Sequence, residues 1–263
     1  MKFASGQFAA GTDPIANLGA LTDLIKRAAE AGAEFIVLPE SSLYLAPDLS
    51  PTPEHVPEPL DGPFITAIAS AAAQYSIGVV VGTTEKNPNG FPYNTVVAIS
   101  SLGEVTARYR KVHLYDAFGF VESDTITPGE IEEPFILNFD GLKVGVFTCY
   151  DLRFPESARR VIDAGANVLL LPACWAAGPA KEDQWTTLVR ARAIENTSYV
   201  VSANQSGPVG TGFSQIVDPA GTVLANAGEA PGLIFADLDV NRVDVVRKRV
   251  PSLQNRRFSV VPS

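Results

Sequence analysis

The sequence predicts an α/β protein built on mixed sheets, and three observations predict it. Short apolar or β-branched runs alternate with helical periodicities from end to end. Some neighbouring strand patterns are separated by turns of only a few residues, which antiparallel pairs alone permit. No linker, low-complexity tract or repeat of the solenoid kind interrupts the 263 residues, so residues 1–263 are expected to form one domain. Two sheets packed face to face, each covered by helices, would use these elements well. Periodicity alone does not choose between that sandwich and other α/β layouts.

Each element has its own signal. Residues 2–8 read as a first strand, and residues 17–31 as a helix with Leu18, Leu21, Leu24, Ile25 and Ala28 on one stripe and Gly32 at its C-terminal end. Residues 35–38 are a continuous apolar strand closed by Pro39, and the Pro- and acid-rich stretch 47–63 reads as a loop. Residues 64–75 are Ala-rich and helical, 77–81 β-branched and strand-like, and 95–100 with 104–109 form a hairpin around Leu102-Gly103. In the second half, 142–148 is a strand, 156–163 a helix behind Pro155, and 168–171 a buried strand. A helix over 181–196 places Trp185, Leu188, Val189 and Ala193 on one face. Residues 199–203, 213–217, 222–225 and 233–238 are further strands, and 241–249 is a last helix stopped by Pro251.

Composition excludes several classes of function. With 46% apolar residues, 14 Phe, 7 Tyr and 2 Trp, the chain has ample material for an ordered core. A net charge of −9 with only 2 His lacks the basic face that nucleic acid or an anionic membrane surface requires. The opening Met1-Lys2-Phe3-Ala4-Ser5-Gly6-Gln7, broken by Gly11-Thr12-Asp13-Pro14, does not read as a signal peptide. No run approaches the roughly 18 apolar residues of a membrane span. Two cysteines, Cys149 and Cys174, fit a reduced, cytoplasmic setting better than a disulfide scaffold. Cys-x-x-Cys, paired His at helical spacing and Asp-rich loops are missing from the sequence, as are Gly-rich phosphate loops, so neither a metal nor another cofactor is expected.

The sharpest local feature is the strand that ends at Cys149, with a helix opening a few residues later. A nucleophile at such a turn is exposed, and the backbone N–H groups beside it can bind an oxyanion. A buried structural thiol is the ordinary alternative. A cysteine nucleophile needs a base. His55 lies in the Pro/Glu-rich loop, and His113, in Arg110-Lys111-Val112-His113-Leu114, suits a structural role better. In Leu38-Pro39-Glu40, Glu40 stands at the mouth of a buried strand, where a partly desolvated carboxylate makes a workable base. Lys111 follows the strand 104–109. Glu, Lys and Cys at three strand ends supply a base, a cation for developing negative charge and a nucleophile, the parts acyl transfer from an amide requires.

At these sites the chain resembles the nitrilase superfamily of carbon–nitrogen hydrolases. Its signatures stand here as Leu38-Pro39-Glu40, Tyr109-Arg110-Lys111-Val112-His113-Leu114 and Thr148-Cys149-Tyr150-Asp151-Leu152-Arg153-Phe154-Pro155-Glu156. They fall in the family's order, with 71 residues from Glu40 to Lys111 and 38 from there to Cys149. The likeness extends over essentially the whole chain, including Arg190-Ala191-Arg192-Ala193-Ile194-Glu195-Asn196 and Asp218-Pro219-Ala220-Gly221. It implies a four-layer α-β-β-α sandwich, a homodimer or higher homo-oligomer, and a small-molecule amide with water as the partners. It implies Cys149 as nucleophile, Glu40 as general base and later acid, Lys111 as stabiliser of the tetrahedral intermediate, and Glu122 as a second glutamate. Tyr150, Arg153 and Trp175 are expected on the substrate side. Within the superfamily, Cys149-Tyr150-Asp151-Leu152-Arg153 is most similar to the branch containing deaminated glutathione amidase and omega-amidase. Nitrilases proper show Cys-Trp-Glu there, and N-carbamoyl amino acid amidases show paired arginines. A catalytically silent interaction protein is the reading from another class; fast alkylation of Cys149 by iodoacetamide at neutral pH is the expected discriminator.

Overall fold

Strands that are apolar on both faces must be covered on both, and the arrangement of this chain follows from that requirement. The computed structural model describes residues 1–139 and 141–261. The first half contains β1 (Lys2–Gln7), α1 (Pro14–Glu30), β2 (Phe35–Val37), α2 (Pro63–Tyr75), β3 (Gly78–Glu85), β4 (Tyr93–Ile99) and β5 (Val105–Arg110). A two-residue hairpin, β6 (Asp116–Ala117) and β7 (Phe120–Val121), leads to β8 (Leu137–Phe139), β9 (Leu142–Val146), α3 (Pro155–Asp163) and β10 (Val168–Ala173). The rest is α4 (Lys181–Asn196), β11 (Tyr199–Asn204), β12 (Gln215–Val217), β13 (Val223–Asn226), β14 (Gly232–Asp237) and α5 (Val240–Arg249).

Two six-stranded sheets result, ordered β14-β1-β2-β3-β4-β5 and β13-β12-β11-β10-β9-β8. Each has a parallel centre, β1-β2-β3 in one and β9-β10-β11 in the other, flanked by antiparallel strands. Alternation along the strands builds the layers. In β2, Phe35 and Val37 enter the core between the sheets while Ile36 packs with Leu21, Ile25 and Ile68 of α1 and α2. In β10, Val168 and Leu170 face the other sheet while Leu169 and Leu171 meet Val161, Trp185 and Val189 of α3 and α4. The fold is therefore the α-β-β-α sandwich that the resemblance implies. Among the described residues no helix is long and apolar enough to cross a membrane.

Element by element, the sequence and structure differ mainly at ends. Pro14 opens α1 and Asp13 caps it, its side chain accepting from the Ile15 and Ala16 N–H groups, so this helix starts earlier than its apolar stripe suggests. The strand expected over 213–217 begins only at Gln215, because Phe213 has φ 54° and cannot continue a ladder. The strand expected over 142–148 stops at Val146. The edge strand β8 and the hairpin β6–β7 had no sequence signal of their own: at two or three residues each, they are too short for alternation to show.

The topology decides where chemistry can occur. β5 runs antiparallel to β4, which runs antiparallel to β3, so the C-terminal ends of β2, β3 and β5 lie along one edge. Glu40 and Lys111 follow two of those ends, and Cys149 and Cys174 follow the C-terminal ends of β9 and β10 in the facing sheet. A crevice outside the carboxyl ends of strands is the usual place for a ligand in α/β proteins.

Candidate active site

Cys149 opens a 3₁₀ turn, Cys149–Arg153, directly after β9, and its backbone is left-handed with φ 44°. Such a conformation costs a non-glycine residue on the order of 1–3 kcal/mol and is retained only where surroundings enforce it. The enforcement is visible. Thr148 and Asp151 form a reciprocal capping box, and the Thr148 hydroxyl donates to the Pro172 carbonyl at 2.7 Å. Fully buried Asp151 also accepts from the Tyr109 hydroxyl and from His113 Nδ1–H, each at 2.7 Å. Burial first, then the charge of Asp151, holds the Tyr109 phenol well above its ordinary pKa, so it stays a donor. Tyr109 and His113 flank Lys111 in sequence, and Asp151 lies two residues beyond Cys149. These bonds therefore tie the lysine loop to the cysteine turn. His113 stacks on Phe154 with centroids 3.9 Å apart, the structural role read from the sequence, and His55 is exposed.

Glu40 sits in a turn with Ser41 at φ 56°, pressed against β3. A Cβ on Gly82 of β3 would stand 2.5 Å from the Glu40 Cα, so only glycine allows this approach. The carboxylate is 2% exposed and fully engaged. Its Oε1 accepts from Lys111 Nζ at 2.9 Å and Asn94 Nδ2 at 2.7 Å, and its Oε2 from the Cys174 N–H at 2.7 Å. Gln205 Nε2 donates to its backbone carbonyl at 2.8 Å.

Lys111 is bracketed by two carboxylates. Its ammonium donates to Glu40 and, also at 2.9 Å, to Glu122 Oε2; Asn94 Nδ2 bridges to Glu122 Oε1 at 3.0 Å. The Tyr115 N–H donates to Glu122 Oε2 at 2.7 Å. Burial opposes the lysine's charge, but Glu122 and Glu40 outweigh it and hold the pKa well above the ordinary lysine value. Lys111 is thus a permanent cation. For Cys149, burial and then the charge of Glu40 push the thiol well above its usual range, with Lys111 only partly offsetting them. The resting nucleophile is a protonated thiol beside a carboxylate. Fast alkylation at neutral pH, expected from the sequence, presupposes a thiolate; with this geometry the alkylation rate should instead climb as pH rises past neutrality.

Glu40, Lys111, Glu122 and Cys149 line one cavity of about 110 Å³, together with Asn94 and Cys174. That is well below the roughly 300 Å³ at which drug-sized pockets begin, so the space suits a small molecule. The structure thus brings all four catalytic candidates together. Tyr150, within the turn, packs edge-on against Tyr115, and the first N–H groups of its turn have no partner within the turn. Buried Trp175 lines a small extension of the cavity with Cys149 and Tyr150. Arg153 is not among the residues that line either space, and its guanidinium lies 4.7 Å above the Trp175 ring. Arg153 does not pair with Asp151 or Glu156, the acids near it in sequence. Asp151 is committed to Tyr109, His113 and the Thr148 N–H, and Arg153 Nη2 instead donates to Gln184 at 2.6 Å.

Sequence reasoning missed Asn94, Cys174 and Lys181 as site residues. Cross-strand pairing carries the signal for Asn94, whose carbonyl accepts the Lys111 N–H at 2.8 Å.

Comparison with known proteins identifies the family. Residues 2–248 match the family model described as carbon-nitrogen hydrolase. The deaminated glutathione amidase of Escherichia coli O157:H7 is 38% identical over 259 residues, covering 98% of each chain. The Caenorhabditis elegans NitFhit structure superposes with a TM-score of 0.87 at 31% identity over 97% of this chain, which spans 65% of that longer protein. An amidase from Nesterenkonia sp. AN1, a glutamate-to-glutamine mutant with the acetamide moiety of fluoroacetamide added covalently at the active-site cysteine, superposes with a TM-score of 0.82 at 29% identity, covering 98% of this chain and 94% of that one. With the family's signatures, fold and full-length match in agreement, the chain belongs to the carbon–nitrogen hydrolase family and is an enzyme of that class.

Proposed function

We propose that this protein is an amidase that releases ammonia from a small acid bearing a terminal amide, through a thioester on Cys149. The observation that carries the reading is the Lys111 ammonium gripped by Glu40 and Glu122 in the cavity that Cys149 enters. The amidase activity named for the relatives supports it.

The chemistry follows from the contacts. Glu40 takes the Cys149 proton as the sulfur attacks the amide carbon, so a thiolate need never exist free in the resting site. The carbonyl oxygen becomes an oxyanion held by Lys111 and the Tyr150 N–H. The C–N bond breaks as Glu40 returns the proton to nitrogen, and ammonia leaves. Water, deprotonated by Glu40, attacks the thioester carbon, and the carbonyl oxygen, again an oxyanion, is held by Lys111 and the Tyr150 N–H. The C–S bond breaks, the thiol recovers its proton and the acid departs. Glu122 and Asn94 keep Lys111 and Glu40 in register throughout.

Ammonia release across ω-amides of small acids, N-carbamoyl acids and nitriles tests the reading. Preference for the amide acids is expected, with an acyl adduct on the Cys149 peptide by intact mass. Preference for nitriles or N-carbamoyl acids overturns it. Arg153, which forms no ion pair among the described residues, is proposed to fork the substrate carboxylate. Arg153→Lys should then raise KM for amide acids about tenfold or more, since an ammonium does not reproduce the bidentate fork. An equal loss on neutral amides would make it scaffold. A homodimer through the α3–α4 layer belongs to the same proposal, with Ile194 of α4 left 49% exposed in the protomer. Light scattering should give about twice the 27.9 kDa protomer mass.

A further inference from the structure

The two halves of the active site arrive from different sheets. Glu40 and Lys111 follow β2 and β5 of one, and Cys149 follows β9 of the other. Attack requires sulfur, carboxylate and ammonium to keep their spacing to within about 0.5 Å, and a misplacement of about 1 Å can cost a hundredfold in rate. Something must therefore fix the cysteine turn against the lysine segment. Apart from the thiol's own bond to Glu40, the hydrogen bonds that join the Cys149–Arg153 turn to the first sheet all end on Asp151, among the described residues.

One of these bonds closes a continuous path. The Val112 N–H donates to the Tyr109 hydroxyl at 3.4 Å, and the hydroxyl donates to Asp151 Oδ2 at 2.7 Å. The Thr148 N–H donates to that same oxygen at 2.9 Å. Val112 is the residue after Lys111, and Thr148 is the residue before Cys149. Three hydrogen bonds thus span from one side of the site to the other. The second bond, from His113 Nδ1 to Asp151 Oδ1, runs beside this path, and the His113 ring is held by its stack on Phe154.

The arrangement is a costly one for stability alone. Asp151 is a fully buried carboxylate, and no lysine or arginine pairs with it among the described residues. A well-packed apolar group often serves a core as well as a buried charge does. What the carboxylate adds is direction, because its Oδ2 takes one donor from each sheet. The Tyr109 ring packs against the core between the sheets, which fixes where the hydroxyl stands.

We propose that Tyr109 is a positioning residue for the reaction: through Asp151, its hydroxyl holds the Cys149 thiol in attacking register with Glu40 and Lys111. Tyr109 does not line the active-site cavity or its extension, so its effect falls on the chemical step and not on substrate affinity. The proposal rests on the cysteine mechanism above and extends it to a side chain outside the cavity.

Two variants test it. Tyr109→Phe removes one hydroxyl and keeps the ring, and His113→Phe removes the parallel bond and keeps an aromatic ring to stack on Phe154. Well below the melting temperature, Tyr109→Phe should lower kcat for glutaramate about tenfold with KM within about twofold, and His113→Phe should show the same pattern more weakly. Alkylation of Cys149 by iodoacetamide, read by mass on its peptide, needs no hydrolysis. Near neutrality the thiol must pass its proton to Glu40, so Tyr109→Phe should react severalfold more slowly than wild type. As pH rises the thiolate forms without that transfer, and the two rates should converge. Normal kcat and normal neutral-pH alkylation in folded Tyr109→Phe, with only a lower melting temperature, overturn the proposal. A loss carried entirely by KM overturns it too. If wild type hydrolyses no glutaramate while the pH-dependent alkylation contrast holds, the positioning role stands and the amidase reading falls.

Discussion

Cys149→Ala abolishes turnover, and Cys174→Ala keeps most of it. Both thiols stand in the same cavity, so the contrast is a demanding one. They differ in what surrounds the sulfur. Cys149 occupies a strained left-handed position at the start of a turn, next to Glu40 and Lys111, where a proton acceptor and a cation both lie at hand. Cys174 serves Glu40 through its backbone N–H, which alanine retains. Burial and then Glu40 push both thiols up, but only the Cys149 thiol is hydrogen-bonded to the Glu40 carboxylate that can take its proton. The loss for Cys149→Ala is expected to reach background, because without sulfur the thioester route does not exist and no neighbouring group replaces it. Ammonia release and intact mass after substrate addition check both variants. An active Cys149→Ala protein would sink the mechanism. An inactive but folded Cys174→Ala protein would show that its side chain, not only its backbone, holds Glu40.

Why some of this was legible in the sequence and some not has a physical basis. Glu40, Lys111 and Cys149 each follow a strand whose apolar run is unmistakable, and a reactive residue type at a strand end has few ordinary explanations. That both sheet faces are covered was legible in the apolar runs of β2, β3, β10 and β11, while the choice of the sandwich over other α/β layouts came from the family resemblance. Asn94 was not. Pairing it with Lys111 requires the register of the β4–β5 hairpin, and a bulge between Ala98 and Ile99 shifts that register between turn and site. Lys181 and Cys174 were hidden for another reason. Their neighbours Tyr115, Arg153 and Glu40 come from distant segments, and only the packing of two sheets brings them together. The Asp151 network lies between these cases: its members sit inside two legible motifs, but their mutual contact does not show in either.

Glu40→Gln and Lys111→Met each lower kcat by at least about 10², the scale of losing a general base or an oxyanion partner. They should do so for different reasons that the same experiments separate. Glu40 accepts from three donors, Lys111, Asn94 and the Cys174 N–H. An amide offers one acceptor oxygen, so in Glu40→Gln an NH₂ group must face a donor, and the proton acceptor for Cys149 is gone as well. The fold loses little, because no charge is stranded: Lys111 keeps Glu122 at 2.9 Å. Lys111→Met is harsher on stability. It leaves Glu40 and Glu122 buried with no cation between them, and breaking a buried pair from one side typically costs roughly 3 to 5 kcal/mol. Its melting temperature should therefore fall well below that of Glu40→Gln, while both give native circular dichroism at low temperature. Activity is measured there, so lost turnover is not mistaken for unfolding. Adding Glu122→Gln to Lys111→Met removes one of the stranded charges and should recover part of the melting temperature without recovering rate. Near-normal rates in either folded single variant would mean that the base and the oxyanion cation have been assigned to the wrong side chains.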